Sequence, residues 1–162
     1  MGFDLHGRNP ENAGKRPTWD KDYPVGGKNE DSELKKEFDI YIKALNKWED
    51  NNPGDYFRNN VWFWRPLWSY VADNCDDILT ENDIERGSYN DGHIICKTKA
   101  KAIAKRLRKL IKDGHTDAYA AWFEESRSNM DDKDWDKSYP FNTQNVVAFE
   151  RFCEKSGGFD IC

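Results

Sequence analysis

The densest aromatic segment of this chain constrains its fold more than any other feature of the sequence. Seven aromatic residues lie between Tyr56 and Tyr70, and aromatics make up 14% of the whole chain. Tryptophan and tyrosine carry an N–H or O–H group that needs a hydrogen-bond partner when the ring is buried. The fold must therefore pack several large rings together and also supply partners for their polar atoms.

The length and charge content predict one well-solvated domain. A chain of 162 residues is of the usual size for a single domain and can bury a hydrophobic core. Charged residues make up 34% of the chain. No run approaches the roughly 20 apolar residues that span a bilayer, and residues 1–9 lack the features of a secretory signal. We therefore expect a single domain, 1–162, in the cytoplasm and not in a membrane.

The periodicity of the apolar residues predicts an α+β fold that is mostly helical. Apolar residues recur at helical spacing in about five segments, and Asn, Pro and Gly residues separate these segments. Phe3 and Leu5 alternate with polar residues near the start, and Phe159 begins a similar alternation at the end. Alternation of this kind is typical of strands. We expect the two terminal strands to pair and form a small sheet.

Boundary signals place the individual elements along the chain. Residues 11–30 are rich in Gly, Pro, Asn and Lys and predict a long loop, followed by an inserted helix over 31–52. Residues 55–64 are expected to be extended or irregular. A helix is expected to begin at Pro66, because a proline in the first turn loses no hydrogen bond. The other predicted elements are a short helical turn capped by Thr80, a short strand at 94–96, and helices beginning at Thr98, Asp117 and Asn142.

The charges are unevenly distributed along the sequence. Residues 92–112 hold eight Lys or Arg and no acidic residue, which leaves 17 basic against 30 acidic residues elsewhere. Bulk nucleic-acid binding over the whole surface is therefore not expected. One basic helix face either docks a phosphate-bearing or acidic partner or is a solvated face balanced by the acidic residues of 124–136. This face consists of Lys97, Lys101, Lys105, Arg108 and Lys112.

Arginine and asparagine side chains alternate with the rings of the aromatic segment. This combination suits a planar anionic ligand, because rings stack, guanidinium groups pair with phosphate or carboxylate, and amides bind polar edges. The alternative is an aromatic core in which these side chains satisfy nearby carbonyl groups. A following Asn/Asp/Gly loop either adds ligand contacts or is an ordinary turn. The predicted ligand-binding residues are Tyr56, Arg58, Asn59, Asn60, Trp62, Trp64, Arg65, Trp68, Asn90, Asp91 and His93.

The sequence contains no recognisable catalytic or metal-binding motif. It lacks a serine nucleophile elbow, a phosphate-binding loop and a glycine-rich dinucleotide fingerprint. Its four cysteines have neither C-x-x-C spacing nor a histidine at zinc-finger spacing, so we expect reduced thiols and no cofactor. Asp4, His6, Asp91 and His93 could supply a hydrolytic metal cluster, but their spacing matches no known metal motif. Binding is therefore favoured over catalysis.

Four short segments resemble a known group of proteins. They are GFDLHG at 2–7, the block YFRNNVWFWRPLW at 56–68, YNDG at 89–92 and SGGF at 156–159. Together they resemble a family of small bacteriophage and prophage proteins, and residues 11–52 look like an insertion relative to its shorter members. The resemblance implies a viral origin and a location in the host cytoplasm. It implies no particular activity, although small non-structural phage proteins often act against host defences.

Three functions are compatible with these observations. The first is a phage protein that sequesters a nucleotide-like host signal in a pocket of the aromatic segment. The second is an inhibitor of a host enzyme that uses its acidic surface as a nucleic-acid mimic or its aromatic patch as a plug. The third is a metal-dependent hydrolase. The expected partners are accordingly a nucleotide-like small molecule or a host protein.

Overall fold

The structure, a computed structural model, describes residues 2–23 and 32–162. Within these residues six α-helices accompany a four-stranded antiparallel sheet, so the predicted α+β, mostly helical class is confirmed. None of these helices combines the length and the apolar character needed to cross a membrane. The helices are α1 (Ser32–Asn51), α2 (Val61–Asn74), α3 (Glu81–Arg86), α4 (Lys97–Lys112), α5 (His115–Ser128) and α6 (Thr143–Lys155). The strands are β1 (Gly2–Gly7), β2 (Tyr56–Asn60), β3 (His93–Cys96) and β4 (Gly158–Ile161).

The two ends of the chain form the centre of the sheet. The strand order is β2-β1-β4-β3, and β1 pairs antiparallel with β4, with Leu5 opposite Ile161. The predicted pairing of the terminal strands is therefore confirmed. The internal strands β2 and β3 pair with the outer sides of β1 and β4.

Alternation along each strand separates a core face from an outer face. In β1, Phe3 and Leu5 are buried, whereas Asp4 and His6 point to the other side. Residues directly opposite each other in a sheet share a face, so Phe57 and Ile161 join Leu5 in the core. Helices α2, α4 and α6 pack on this core face, and α4 and α6 also pack against each other.

Helix α2 begins five residues earlier than the sequence predicts, so the expected start at Pro66 is wrong. The N-cap is Asn60, whose side-chain oxygen accepts a hydrogen bond of 3.1 Å from the backbone N–H of Phe63. Such a cap stabilises a helix start by about 1 kcal/mol. Pro66 consequently lies inside the helix, where it cannot donate to the carbonyl of Trp62. The early start also brings Trp64 into the core.

Helix α1 packs against the irregular segment that precedes it in the sequence. None of its side chains described in the structure is fully buried. Phe38 packs edge-on against Trp19, with ring centroids 5.1 Å apart. The predicted loop at 11–30 is irregular over 11–23, and 24–31 lie outside the described residues. The predicted inserted helix corresponds to α1.

Two stacked indoles join α2 to the end of α3. Trp64 and Trp68 stack with centroids 5.3 Å apart, and Phe3 stacks on Trp64 at the same distance. Trp64 donates its indole N–H to the carbonyl of Gly87 at 2.8 Å, and Trp68 donates to the carbonyl of Ile84 at 2.9 Å. Carbonyls at the end of a helix lack intrahelical donors. The indoles therefore satisfy both the helix end and their own buried N–H groups.

We predict that Gly87→Ala destabilises the protein by about 1–3 kcal/mol through overpacking. A Cβ atom at this position would lie 2.1 Å from the Trp68 indole. The backbone φ of Gly87 is −65°, so the effect is steric and involves no backbone strain. Urea denaturation followed by tryptophan fluorescence measures it. The exposed neighbour Ser88→Ala is the control, and equal stability of the two variants would contradict the packing described here.

Candidate functional site

The structure divides the predicted ligand-binding residues among several places. Trp64 and Trp68 belong to the core, with 0% and 3% of their surface exposed. Asn59 is also buried, and its side-chain amide donates to the Asn145 side chain at 3.0 Å. Asn60 caps α2. These four residues therefore make structural contacts, as the alternative of an aromatic core expects.

Tyr56 and Arg58 lie on the outer face of the sheet because they alternate with the core residues of β2. Tyr56 donates its hydroxyl to the Asp4 carboxylate, and the Arg58 guanidinium lies 3.5 Å from the same carboxylate. Burial, followed by the hydrogen bond to Asp4, raises the pKa of Tyr56 to about 12. The His6 ring packs against Tyr56 at 5.2 Å. These residues thus form a cross-strand cluster on the side of the sheet opposite α2.

The outer-face cluster borders a polar cavity of about 460 Å³. Arg16 reaches into it from the segment before α1 and forms ion pairs with Glu49 at 3.3 Å and Asp55 at 3.6 Å. Asn12 also donates to Asp55 at 2.8 Å. The charged groups of this cavity therefore have partners within the protein.

Three of the predicted residues, Asn90, Asp91 and His93, lie in the 87–92 loop or directly after it. Their side chains form contacts within the protein. Asn90 donates to the backbone carbonyl of Gly2 at 3.2 Å. Asp91 forms an ion pair of 2.7 Å with Arg86. His93 points to the core face and binds Asp83. The structure does not bring these three side chains together with the exposed face of α2.

The four residues of the hydrolase hypothesis lie on different faces of the sheet. Asp4 and His6 are on the outer face, whereas His93 is level with Ile161 on the core face. Asp91 is paired with an arginine. Within 2–23 and 32–162 no group of three or more His, Cys, Asp or Glu side chains is arranged to hold a metal ion.

A buried carboxylate joins α3, β3 and α4. Asp83 accepts hydrogen bonds from the Thr80 backbone N–H at 2.8 Å and hydroxyl at 2.7 Å, from His93 at 2.9 Å, and from the Lys99 ammonium. Burial by itself raises the pKa of Asp83. The hydrogen bonds from Lys99, Thr80 and His93 outweigh this effect and hold the pKa well below its usual range. The sequence predicted only the Thr80 cap of this network.

We predict that Asp83→Asn lowers the free energy of unfolding by about 1.5–3 kcal/mol at neutral pH. Folding lowers the pKa of Asp83, so its ionised carboxylate stabilises the folded protein at pH values above about 4, the usual pKa of an aspartate in an unfolded chain. Below about pH 4 this contribution decreases, and the two proteins should converge in stability. Urea denaturation at several pH values measures the difference. Asp91→Asn, which removes an exposed pair, should cost at most about 1 kcal/mol, and a pH-independent difference for Asp83→Asn would contradict the assignment.

A groove on the exposed side of α2 is the best candidate for a binding site. It has a cavity volume of about 320 Å³ and lies between α2 and α5, beside the segment that leads from α5 to α6. We call it the α2–α5 groove. Its walls are formed by Arg65, Pro66, Ser69, Trp122, Phe123, Ser126, Arg127, Met130, Asp136 and Tyr139.

Aromatic rings dominate the surroundings of the α2–α5 groove. Trp122 lies in its wall and is 58% exposed. Beside the groove, Trp62 packs against Tyr139 at 5.0 Å and against Trp135 at 5.4 Å. Trp135 is 66% exposed. A group of exposed aromatic rings beside a groove is a feature of many interaction sites.

Two donors converge on the Tyr139 hydroxyl in the groove wall. Arg65 donates to it at 2.7 Å and Trp135 donates its indole N–H at 3.0 Å. Guanidinium and indole groups are donors only, so the phenol oxygen accepts both bonds. Its own O–H therefore has no acceptor in the part of the chain that the structure describes. Arg65 likewise has no carboxylate partner among the described residues.

The second arginine of the groove has a structural role. Arg127 forms an ion pair of 2.7 Å with Glu124 and donates to the Lys137 carbonyl at 3.1 Å. The segment that holds Tyr139 is thereby fixed to α5. The exposed residue Asp136 also lines the groove, and its carboxylate has no hydrogen-bond partner in residues 2–23 and 32–162.

The predicted basic face of α4 is partly neutralised within the protein. Arg108 binds Glu150 at 2.9 Å and Glu154 at 2.9 Å, both on α6. Lys101 lies 3.6 Å from Glu11. The balancing acids therefore come from α6 and the segment after β1, and not from 124–136. The exposed Lys97, Lys105 and Lys112 form no ion pair in the described part of the chain.

Sequence reasoning missed most of the groove. Trp122 and Phe123 fall within the helix predicted to begin at Asp117, but the sequence singles out neither of them as a site residue, nor Tyr139. One signal was available for α5: adjacent residues on a helix point about 100° apart, so two neighbouring large rings cannot share one narrow core stripe. One of the two rings had to approach the surface.

Comparison of the chain with protein-family models, curated proteins and solved structures finds no match. The four short segments singled out in the sequence lie at the sheet. GFDLHG is β1, YFRNN is β2, SGGF leads into β4, and YNDG immediately precedes β3.

Proposed function

We propose that this chain is a phage-encoded binding protein whose α2–α5 groove holds a planar, anionic, nucleotide-like ligand. The observation that carries the proposal is Arg65, an exposed guanidinium in an aromatic groove with no carboxylate partner among the described residues. By contrast, Arg127 in the same groove and Arg86 on α3 are each paired with an acid. In a protein of net charge −5, an unpaired arginine beside exposed rings favours an external anion.

The groove offers complementary groups for both parts of such a ligand. Arg65 and the free O–H of Tyr139 are adjacent donors, so both can bind one phosphate or carboxylate group. The exposed ring of Trp122 provides a stacking surface for a base. The volume of about 320 Å³ falls at the lower end of the range for small-molecule sites.

The donor groups are held in place before a ligand arrives. Tyr139 is only 7% exposed, and its ring is packed against Trp62. Its oxygen is fixed by the hydrogen bonds from Arg65 and Trp135. Fixing these side chains in the free protein reduces the entropy lost on binding. This arrangement suits sequestration, in which tight binding alone removes a signal from solution.

The proposal keeps the ligand class expected from the sequence and changes its location. Of the eleven predicted residues, Arg65 lines the α2–α5 groove and Trp62 supports it from behind Tyr139. Arg65 also borders a neighbouring cavity of about 420 Å³ on the α3 side of α2, to which Trp64 and Trp68 contribute. Their stacking and hydrogen bonds position the helix that presents Arg65.

We predict that Arg65→Gln weakens the binding of nucleotides by about 10–100-fold. A hydrogen-bonded charge pair contributes about 1.5–3 kcal/mol, and each 1.4 kcal/mol corresponds to a factor of ten in affinity. Isothermal titration calorimetry with cyclic and linear nucleotides at low salt measures the change. The matched control is Arg58→Gln, which removes an exposed arginine on the outer face of the sheet. Absence of binding to every nucleotide, or equal affinities for both variants, would remove the proposal.

The exposed indoles also favour a second function, the inhibition of a host protein. Trp122 and Trp135 are more than half exposed on the same side of the molecule, and tryptophan is enriched among interface hot spots. Comparison of Trp135→Ala with Arg65→Gln separates the two functions, because Trp135 also holds the Tyr139 hydroxyl and its loss would affect a groove ligand as well. A protein partner should lose about tenfold or more in affinity in Trp135→Ala and change little in Arg65→Gln, whereas a small ligand in the groove should depend most on Arg65. Titration of the partner protein at two salt concentrations measures this effect.

A further inference from the structure

We infer that Asp136 selects guanine among the nucleotide bases that the α2–α5 groove could hold. This inference rests on the proposed function and names the ligand class more narrowly. It starts from the acidic segment 131–136, which holds four aspartates. Three of them have hydrogen-bond partners in the structure, and the fourth, Asp136, lines the groove.

The three engaged aspartates stabilise the segment itself. Asp131 accepts a hydrogen bond from the backbone N–H of Lys133 at 2.9 Å. Asp132 forms an ion pair with Lys137 at 2.5 Å. Asp134 caps the short 3-10 turn Trp135–Ser138 and accepts from the Asp136 N–H at 3.0 Å. The Asp136 carboxylate is left with both oxygens available among the described residues.

An unpaired carboxylate in the wall of an anion-binding groove restricts the ligand. It repels a second anionic group, so the part of the ligand beside it must present hydrogen-bond donors. Arg65 and Tyr139 supply donors for the anionic part. The ligand therefore carries a donor edge as well as a negative charge.

Guanine presents the donor edge that matches a carboxylate best. Its N1–H and N2–H groups point in parallel and can bind both carboxylate oxygens, like the bidentate pairing of a guanidinium group. Adenine and cytosine place a ring-nitrogen acceptor on the same edge, and uracil flanks its single N–H with two carbonyl groups. Each of these acceptors would face the negative charge of Asp136. A site of this kind discriminates strongly, because the wrong base leaves its polar groups unpaired.

The turn that carries Asp136 is held from both sides. Arg127 on α5 donates to the carbonyl of Lys137, the residue after Asp136. On the other side, Trp135 packs against Trp62 and donates to Tyr139. The carboxylate is therefore attached to a fixed wall of the groove, and the base read by it can stack on Trp122 while its phosphate reaches Arg65.

The test uses calorimetric titration of the full chain with GMP, IMP, AMP and XMP. The wild type should bind GMP about 10–100-fold more tightly than AMP, with IMP between them because it lacks the N2 amino group. Asp136→Asn should reverse part of this order. The asparagine amide has one acceptor and one donor group. The acceptor can bind the N1–H of xanthine and the donor can bind its C2 carbonyl. XMP affinity should therefore rise in the variant while GMP affinity falls, which a misfolded variant could not show.

Asp134→Asn is the matched control, since asparagine also caps the turn and the GMP preference should persist. Equal affinities of the wild type for GMP and AMP would overturn the guanine assignment. An equal loss of affinity for all four nucleotides in Asp136→Asn would also overturn it, because the carboxylate would then bind the ribose that all four share. In both cases binding that still depends on Arg65 would leave the proposed function standing. If none of the nucleotides binds, both proposals fail.

Discussion

The stacked indoles of Trp64 and Trp68 are the interaction on which the arrangement of this protein depends. They press α2 against Phe3 of the central strand and use their N–H groups to satisfy the open carbonyls at the end of α3. Because a helix turns about 100° per residue, burying Trp64 and Trp68 directs Arg65 and Ser69 away from the core. The exposed side of α2, and with it one wall of the groove, follows from this packing.

Most charged groups that border a cavity or an element junction have a partner inside the molecule. Asp83 gathers hydrogen bonds from three residues, and Arg108 joins α4 to α6 through two glutamates. An ion that is already paired gains little by binding an external group. Arg65 and Asp136 lack an ion-pair partner among the described residues, as do Asp73, Lys105 and Arg151 at other cavities, but of these only Arg65 and Asp136 border the α2–α5 groove. They lie in the same groove and have opposite signs, which suits a ligand with a negative group and a donor edge.

The sequence predicted the architecture better than the site. Period-2 alternation at Phe3, Leu5 and Phe159 predicted strands at both ends of the chain, and the structure confirms the expected pairing between them. The start of α2 was mispredicted because Pro66 was taken as a first-turn residue, while the cap at Asn60 begins the helix. Several of the eleven predicted site residues lie in β2. Successive side chains of a strand point to opposite faces of the sheet, so these residues do not share one face. Their closeness in sequence therefore said little about closeness in space.

By itself the sequence determined the fold class and the existence of most elements, since periodicity, caps and breakers act over a few residues. It also placed rings and guanidinium groups close together along the chain. Only the tertiary structure decided which ring meets which charge. Arg65 and Tyr139 are 74 residues apart yet share a hydrogen bond. Such contacts arise when the fold brings α2 against the segment between α5 and α6, a non-local outcome that no local pattern encodes.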